Sequence, residues 1–167
     1  SALAERYTVL RYDLRGHGDS DWSPDGDYDT VTRVRDLMAV AALGTEPVAL
    51  VGASLGGITA LMAACMGLEP AALVLVDIVP KMSSTGVAKI RGFMMANPDG
   101  FASLEEAADA ISAYYPERPR PKDLSGLNKN LRRHDDGRFY WHWDPRMMSD
   151  TRADPKHMLE TLDAADW

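Results

Sequence analysis

A single cysteine, Cys65, stands in 167 residues, so no internal disulfide can form and no paired-cysteine metal pattern exists. Its place among Ile58, Leu61 and Met62 predicts a buried small hydrophobe rather than a catalytic thiol. Positive charge is also scarce: 18 Lys and Arg against 25 Asp and Glu leave a net charge of −7. That summed field would repel a nucleic acid or an anionic membrane, so neither is expected as a partner. No apolar run approaches the roughly 20 residues that a spanning helix needs, and no basic segment followed by an apolar one opens the chain. A soluble, cytoplasmic protein is the expectation, although the opening "SALAERYTVL" carries no initiator Met. Metal-ligand spacing is missing too: there is no H-E-x-x-H, and "HDD" at His134 to Asp136 is adjacent rather than one helical turn apart. No metal and no cofactor are expected.

What is present is the composition of a globular protein, 46% apolar and 26% charged. Three short apolar runs read as strands: "YTVLRYD" (Tyr7 to Asp13), "VALVG" (Val48 to Gly52) and "ALVLVDI" (Ala72 to Ile78). Between the first two, Val31, Val34, Leu37, Met38 and Ala41 recur at helical spacing, with Gly44 placed as the stop. Ile58, Leu61, Met62 and Cys65 repeat the pattern between the last two, with Gly67 as the stop. Strand, helix, strand, helix, strand implies an α/β fold with a parallel sheet and flanking helices. The last two runs are apolar throughout, which predicts strands covered on both faces.

Beyond Pro80 the character changes to Met-rich helical patterns, Pro-containing loops and aromatic clusters, so the chain divides into residues 1–80 and a mainly helical region, 81–167. Ser103 and Glu106 form a capping box ahead of Leu104, Ala107, Ala108 and Ile111, and "YYPERPRPKD" ends that helix. "FYWHW" (Phe139 to Trp143) reads as a short extended segment, and Met158, Leu159, Leu162 and Ala165 as a closing helix. Met82, Met94, Met95, Met147 and Met148 give this region adaptable apolar filling.

Between the second strand and the helix after it lies Gly52-Ala53-Ser54-Leu55-Gly56, a G-x-S-x-G in the strand-to-helix context where that motif has meaning. A sharp turn there strains its central residue and brings the flanking chain so close that positions two before and two after must be small, as Gly52 and Gly56 are. The strain lifts the Ser54 hydroxyl clear of the sheet, and the helix N-terminus supplies free N–H groups and positive potential. Ser54 is thus the candidate nucleophile and the Leu55 backbone N–H the candidate oxyanion donor. A phosphate loop would need G-K-[ST] and a dinucleotide loop G-x-G-x-x-G; "GASLGGITAL" fits neither.

Two motifs together resemble the α/β-hydrolase superfamily, in particular its cap-bearing members related to prolyl iminopeptidases, cofactor-free haloperoxidases and epoxide hydrolases. Asp13-Leu14-Arg15-Gly16-His17-Gly18-Asp19-Ser20 is similar to the family's D-x-R-G-x-G-x-S loop, and Val51 to Gly57 is similar to its nucleophile elbow. The resemblance implies that "LVLVDIVP" is the next core strand, that residues 1–80 are a three-strand part of a hydrolase core, and that 81–167 are a cap. It also implies an upstream His-Gly oxyanion loop and a late acid and His, none of which the sequence contains. The chain therefore reads as an internal portion of a longer hydrolase, inactive alone, with unpaired sheet edges open to self-association.

Some relatives carry their carboxylate on the strand of Asp77, which makes Asp77 a candidate acid; a strand-end Asp bonding a loop is the competing reading. His17 precedes the nucleophile, whereas the superfamily order is Ser, acid, His, so its expected role is shaping the turn. His134 and His157 read as solvated surface. Trp141, His142 and Trp143 are candidates to line a substrate pocket, against ordinary packing. Ser at position 54, where epoxide hydrolases and dehalogenases use a carboxylate, implies acyl-enzyme chemistry on a small ester, amide or thioester, with a perhydrolase using the same residues. A non-catalytic binding or scaffold protein on a degenerate hydrolase fold is the alternative.

Overall fold

The computed structural model describes residues 2–44, 47–78 and 84–148. Helix α1 (Thr30–Ala41) begins at Asp29, whose carboxylate accepts from the Val31 N–H, and it buries Arg33, Val34 and Leu37. Strand β1 (Ala49–Ala53) leads into α2 (Leu55–Cys65), which leads to β2 (Ala72–Val76). The two strands pair in parallel from Ala49 opposite Ala72 to Ala53 opposite Val76, as a crossover through a helix requires. Helix α2 is apolar almost all round and is buried from Gly57 to Ala63. Its Ile58, Leu61 and Met62 pack with Val34 and Leu37 of α1 and with Leu50, Leu73 and Leu75 from one face of the sheet. Each such side chain contributes about 1.5–3 kcal/mol on burial.

Two expectations for the sheet need correction. No ladder among the described residues joins Tyr7–Asp13 to β1 or β2, so the described parallel sheet has two strands rather than three. A run of strand-forming residues becomes a strand only against a partner edge, and here Tyr7, Val9 and Leu10 stay 63%, 45% and 56% exposed. The strands are also covered on one face only: Val51, Val74 and Val76 are 67%, 48% and 46% exposed, because the layer of α1 and α2 lies on the opposite face. Cys65 is exposed at the last turn of α2 rather than buried, and partial desolvation raises its thiol pKa, so it is not an activated nucleophile.

Beyond β2, α3 (Ser84–Met95), α4 (Leu104–Tyr114) and an antiparallel pair, β3 (Leu131–Arg133) with β4 (Phe139–Trp141), follow. Ser103 caps α4 by accepting from the Glu106 N–H at 3.2 Å, while the Glu106 carboxylate accepts from Ala102 rather than from the cap residue itself. A second core gathers Phe101, Ala107 and Leu131, with Phe139 and Trp141 packed against it. The boundary at Pro80, Met82 and the closing helix on Met158 to Ala165 lie outside the described residues, as does His157. Met147 is buried and Met95 exposed. Among the described residues no helix is long and apolar enough to cross a membrane.

Candidate active site

Ser54 joins β1 to α2 with φ 47° and ψ −119°, a conformation that costs a non-glycine residue about 1–3 kcal/mol. The ladder holds it there: its N–H donates to the Val76 carbonyl at 3.1 Å, one step beyond the last strand pair. The turn closes because the residues before and after it have no side chains to collide. A Cβ on Gly52 would lie 2.5 Å from the Gly56 carbonyl oxygen, and one on Gly57 would lie 2.9 Å from the Gly52 oxygen and 3.0 Å from Ile78. Here the motif reading is corrected: a Cβ on Gly56 meets nothing within 4 Å, so the second small residue that the turn demands is Gly57. The hydroxyl is exposed beside the first turn of α2, whose leading N–H groups, that of Leu55 first, have no helical acceptor. Positive potential from the helix end adds to them.

Asp77 follows β2 as Ser54 follows β1, with φ 55° and an exposed side chain. Ser54 and Asp77 are the two non-glycine residues of positive φ among those described. No hydrogen bond links either side chain to His17, His134 or His142. His134 lies exposed and stacked on Tyr140, with ring centroids 4.4 Å apart.

The Asp13–Ser20 loop is built by its own motif. Arg15 grips Asp36 of α1 with two bonds of 2.6 and 2.7 Å, a bidentate pairing that fixes the loop on the helix. Asp13 accepts from the Asp19 N–H at 3.1 Å, and the Ser20 hydroxyl donates to the Asp13 carbonyl. Gly16 and Gly18 both have positive φ, 72° and 53°, and a Cβ would strike Tyr28 at 2.5 Å in the first case and the Asp13 carboxylate at 2.1 Å in the second. Burial is the main cause that lowers the His17 pKa, and the ring Nδ1 lies 3.2 Å from the Arg15 carbonyl.

Trp141, His142 and Trp143 do not behave as one cluster. Trp141 packs edge-on against Phe101 and Phe93, at 5.5 and 5.9 Å between centroids, as part of the second core. Trp143 forms an isolated bridge to His17. His142 lies over the Asp13–Ser20 loop, Nε2 3.9 Å from Asp19, and its pKa is lowered by burial first and by Arg132 second. No hydrogen bond or ring contact among the described residues joins the three to Ser54. An open groove of about 420 Å³ lies between the loop and α1, lined by Tyr12, Arg15, Trp22 and Asp36 among others, and Ser54 is not part of its wall. Sequence reasoning missed Asp144, a fully buried carboxylate bonded to Tyr28 and Arg146.

A parallel strand–helix–strand unit with a strained serine at the first strand's carboxyl end is the core architecture of an α/β hydrolase. All of residues 1–167 match the alpha/beta hydrolase family, and the chain belongs to it. The esterase Rv0045c of Mycobacterium tuberculosis is 35% identical over 145 residues, which is 81% of this chain and 48% of the esterase. Its crystal structure superposes with a TM-score of 0.62 at 30% identity, over 92% of this chain and 54% of that one. An alpha/beta hydrolase from Novosphingobium aromaticivorans superposes with a TM-score of 0.70 at 28% identity, over 87% of this chain and 51% of that one. The chain thus spans about half the length of these relatives.

Proposed function

We propose that the protein is a serine hydrolase cleaving a small ester or a related carbonyl substrate such as an amide or thioester. One observation carries this reading: Ser54 is strained at the β1–α2 junction, with its hydroxyl exposed beside the unbonded N–H of Leu55. The esterase name of the relative in M. tuberculosis supports the ester as first choice. In the reaction the Ser54 oxygen attacks the carbonyl carbon while its proton passes to a general base. The oxyanion forms against the Leu55 N–H, where one donor is typically worth about 100- to 1000-fold in rate. The base then protonates the leaving alcohol, and water, deprotonated by the same base, releases the acid from the acyl-serine. Asp77, next to Ser54 at the sheet end, is assigned the acid that orients the base. Among the described residues no histidine is brought to Ser54, and none of them is assigned the base.

The helical region is assigned the cap, with His142 and Trp143 as the residues left to meet substrate, since Trp141 is taken up by packing. The unpaired edges and open face of β1 and β2 support self-association of the 167-residue chain in isolation, which sedimentation velocity would detect. A fluorophosphonate reagent tests the enzyme reading: it should label the folded full-length protein, and Ser54→Ala should abolish labelling. Unlabelled, folded full-length protein would overturn the reading in favour of a non-catalytic binding or scaffold role, the reading favoured by a Ser54 without a hydrogen-bonded histidine.

A further inference from the structure

His142–Asp144, the segment that follows β4, is seated on the Asp13–Ser20 loop, and beside it Tyr28 meets Asp144 across 116 residues of sequence. Two backbone rungs make the seat: the Gly18 N–H donates to the His142 carbonyl at 2.8 Å, and the Asp144 N–H to the Gly16 carbonyl at 2.7 Å. Beneath them the Asp144 carboxylate is wholly buried. One of its oxygens accepts from the Tyr28 hydroxyl and from the Arg146 guanidinium at 2.6 Å, the other from the Arg146 N–H at 2.9 Å. The network continues on both sides. Tyr28 Oη accepts from the Ser23 N–H at 3.0 Å, and Arg146 donates to the Ser23 carbonyl at 2.7 Å. Tyr28 is also the ring that a side chain at Gly16 would strike, so the rung and the network depend on one another.

The pair is buried at the Asp144 end alone, with the Arg146 side chain 46% exposed; such a pair gives little net stability over a well-packed apolar replacement, and the best-attested use of a buried charge is to fix a register. The Arg146 bonds to Asp144 lie within one segment, so the Tyr28 hydroxyl and the two backbone rungs are the contacts that depend on how that segment is registered against the loop. We infer that Asp144 is a positioning residue: with Tyr28 and Arg146 it locks the segment that follows β4 to the Gly16–Gly18 turn, so that the loop and β4 move as one body. Arg15 extends the lock to α1 through Asp36, which makes the loop the adapter between the β1–β2 core and the helical region. Opening of the helical region relative to the core does not take place at this root.

Amide hydrogen exchange on the full-length protein tests this without reference to activity. Asp144→Asn should speed exchange at the Gly18 and residue-144 amides by about tenfold or more, while the amides of β1 and β2 keep their protection. Tyr28→Phe, which removes a single bond, should speed the same amides by about threefold and add little in the Asp144→Asn background. Unchanged exchange at Gly18 would overturn the inference. So would an equal acceleration across β1 and β2, the mark of a residue that merely adds global stability. If Asp144→Asn does not fold, Tyr28→Phe decides by the same criteria. Fluorophosphonate labelling of Ser54, which rests on the proposed function, should stay within about twofold in Tyr28→Phe, so a failure of the lock and a failure of the hydrolase reading give different results.

Discussion

Ser54 and Asp77 stand at neighbouring carboxyl ends of β1 and β2, each one residue past the pair Ala53–Val76 and each held at positive φ. Backbone strain at two adjacent strand ends is retained only where the surrounding structure over-determines it, and such residues cluster at functional sites. The Ser54 N–H bonded to Val76 ties one strained residue to the strand that carries the other.

Asp77→Asn separates catalysis from structure, because Asn tolerates the left-handed region and keeps the shape of the side chain. If Asp77 orients the base, the full-length variant should lose on the order of 10³–10⁴ in kcat while its melting temperature holds. Activity within threefold of the parent would remove Asp77 from the mechanism and leave it a loop residue.

Gly56 and Gly57 give a second contrast from adjacent positions. Gly57→Ala forces a Cβ to within 2.9 Å of the Gly52 oxygen, and it should destabilise the elbow by about 1–3 kcal/mol, read as a lower denaturant midpoint. Gly56→Ala enters open space in a helix and should be neutral or stabilising by up to about 1 kcal/mol. Equal losses in the two variants would contradict the close approach as drawn.

The contrast also marks what could be read from the chain beforehand. The strand–turn–helix context located Ser54, because periodicity switched from an apolar run to helical spacing across five residues. It could not say which glycine of Gly56-Gly57 faced β1, since that depends on the angle at which α2 leaves the sheet. The parallel pair was legible from composition, but which face stayed open was not, because a strand's covering comes from elements elsewhere in the chain. Tyr7–Asp13 has strand composition and no strand partner among the described residues, and local sequence carries no information about the partner. The β3–β4 pair was readable and overlooked: Asp136-Gly137 between two extended segments is a hairpin signal, and the His134 N–H bonded to the Arg138 carbonyl at 2.9 Å closes that turn. Asp144 was hidden for another reason, since its partner Tyr28 is distant in sequence and pairing across such a distance leaves no local period.

The same junction predicts a response to mild acid. Burial holds both His17 and His142 below the ordinary imidazole range. Around His17 stand Arg33, which lowers its pKa further, and Asp13, which raises it; around His142, Arg132 and His134 lower and Asp19 and Asp13 raise. A histidine depressed in the folded state favours folding fully above its unfolded value, near 6.5, and loses that contribution as pH falls below it, because the unfolded chain takes up protons first. Asp144 acts lower on the scale: burial alone would raise it, but the bonds from Arg146 and Tyr28 prevail and depress it. Its contribution is therefore present above the ordinary carboxylate range and is lost only as pH drops through the folded value. Melting temperatures measured from pH 7.5 to 5.5 should decline, with exchange at the Gly18 amide rising before that of β1. The His17→Gln, His142→Gln double variant should flatten the decline over that range. An unaltered slope in the double variant would place the acid-sensitive groups elsewhere in the protein.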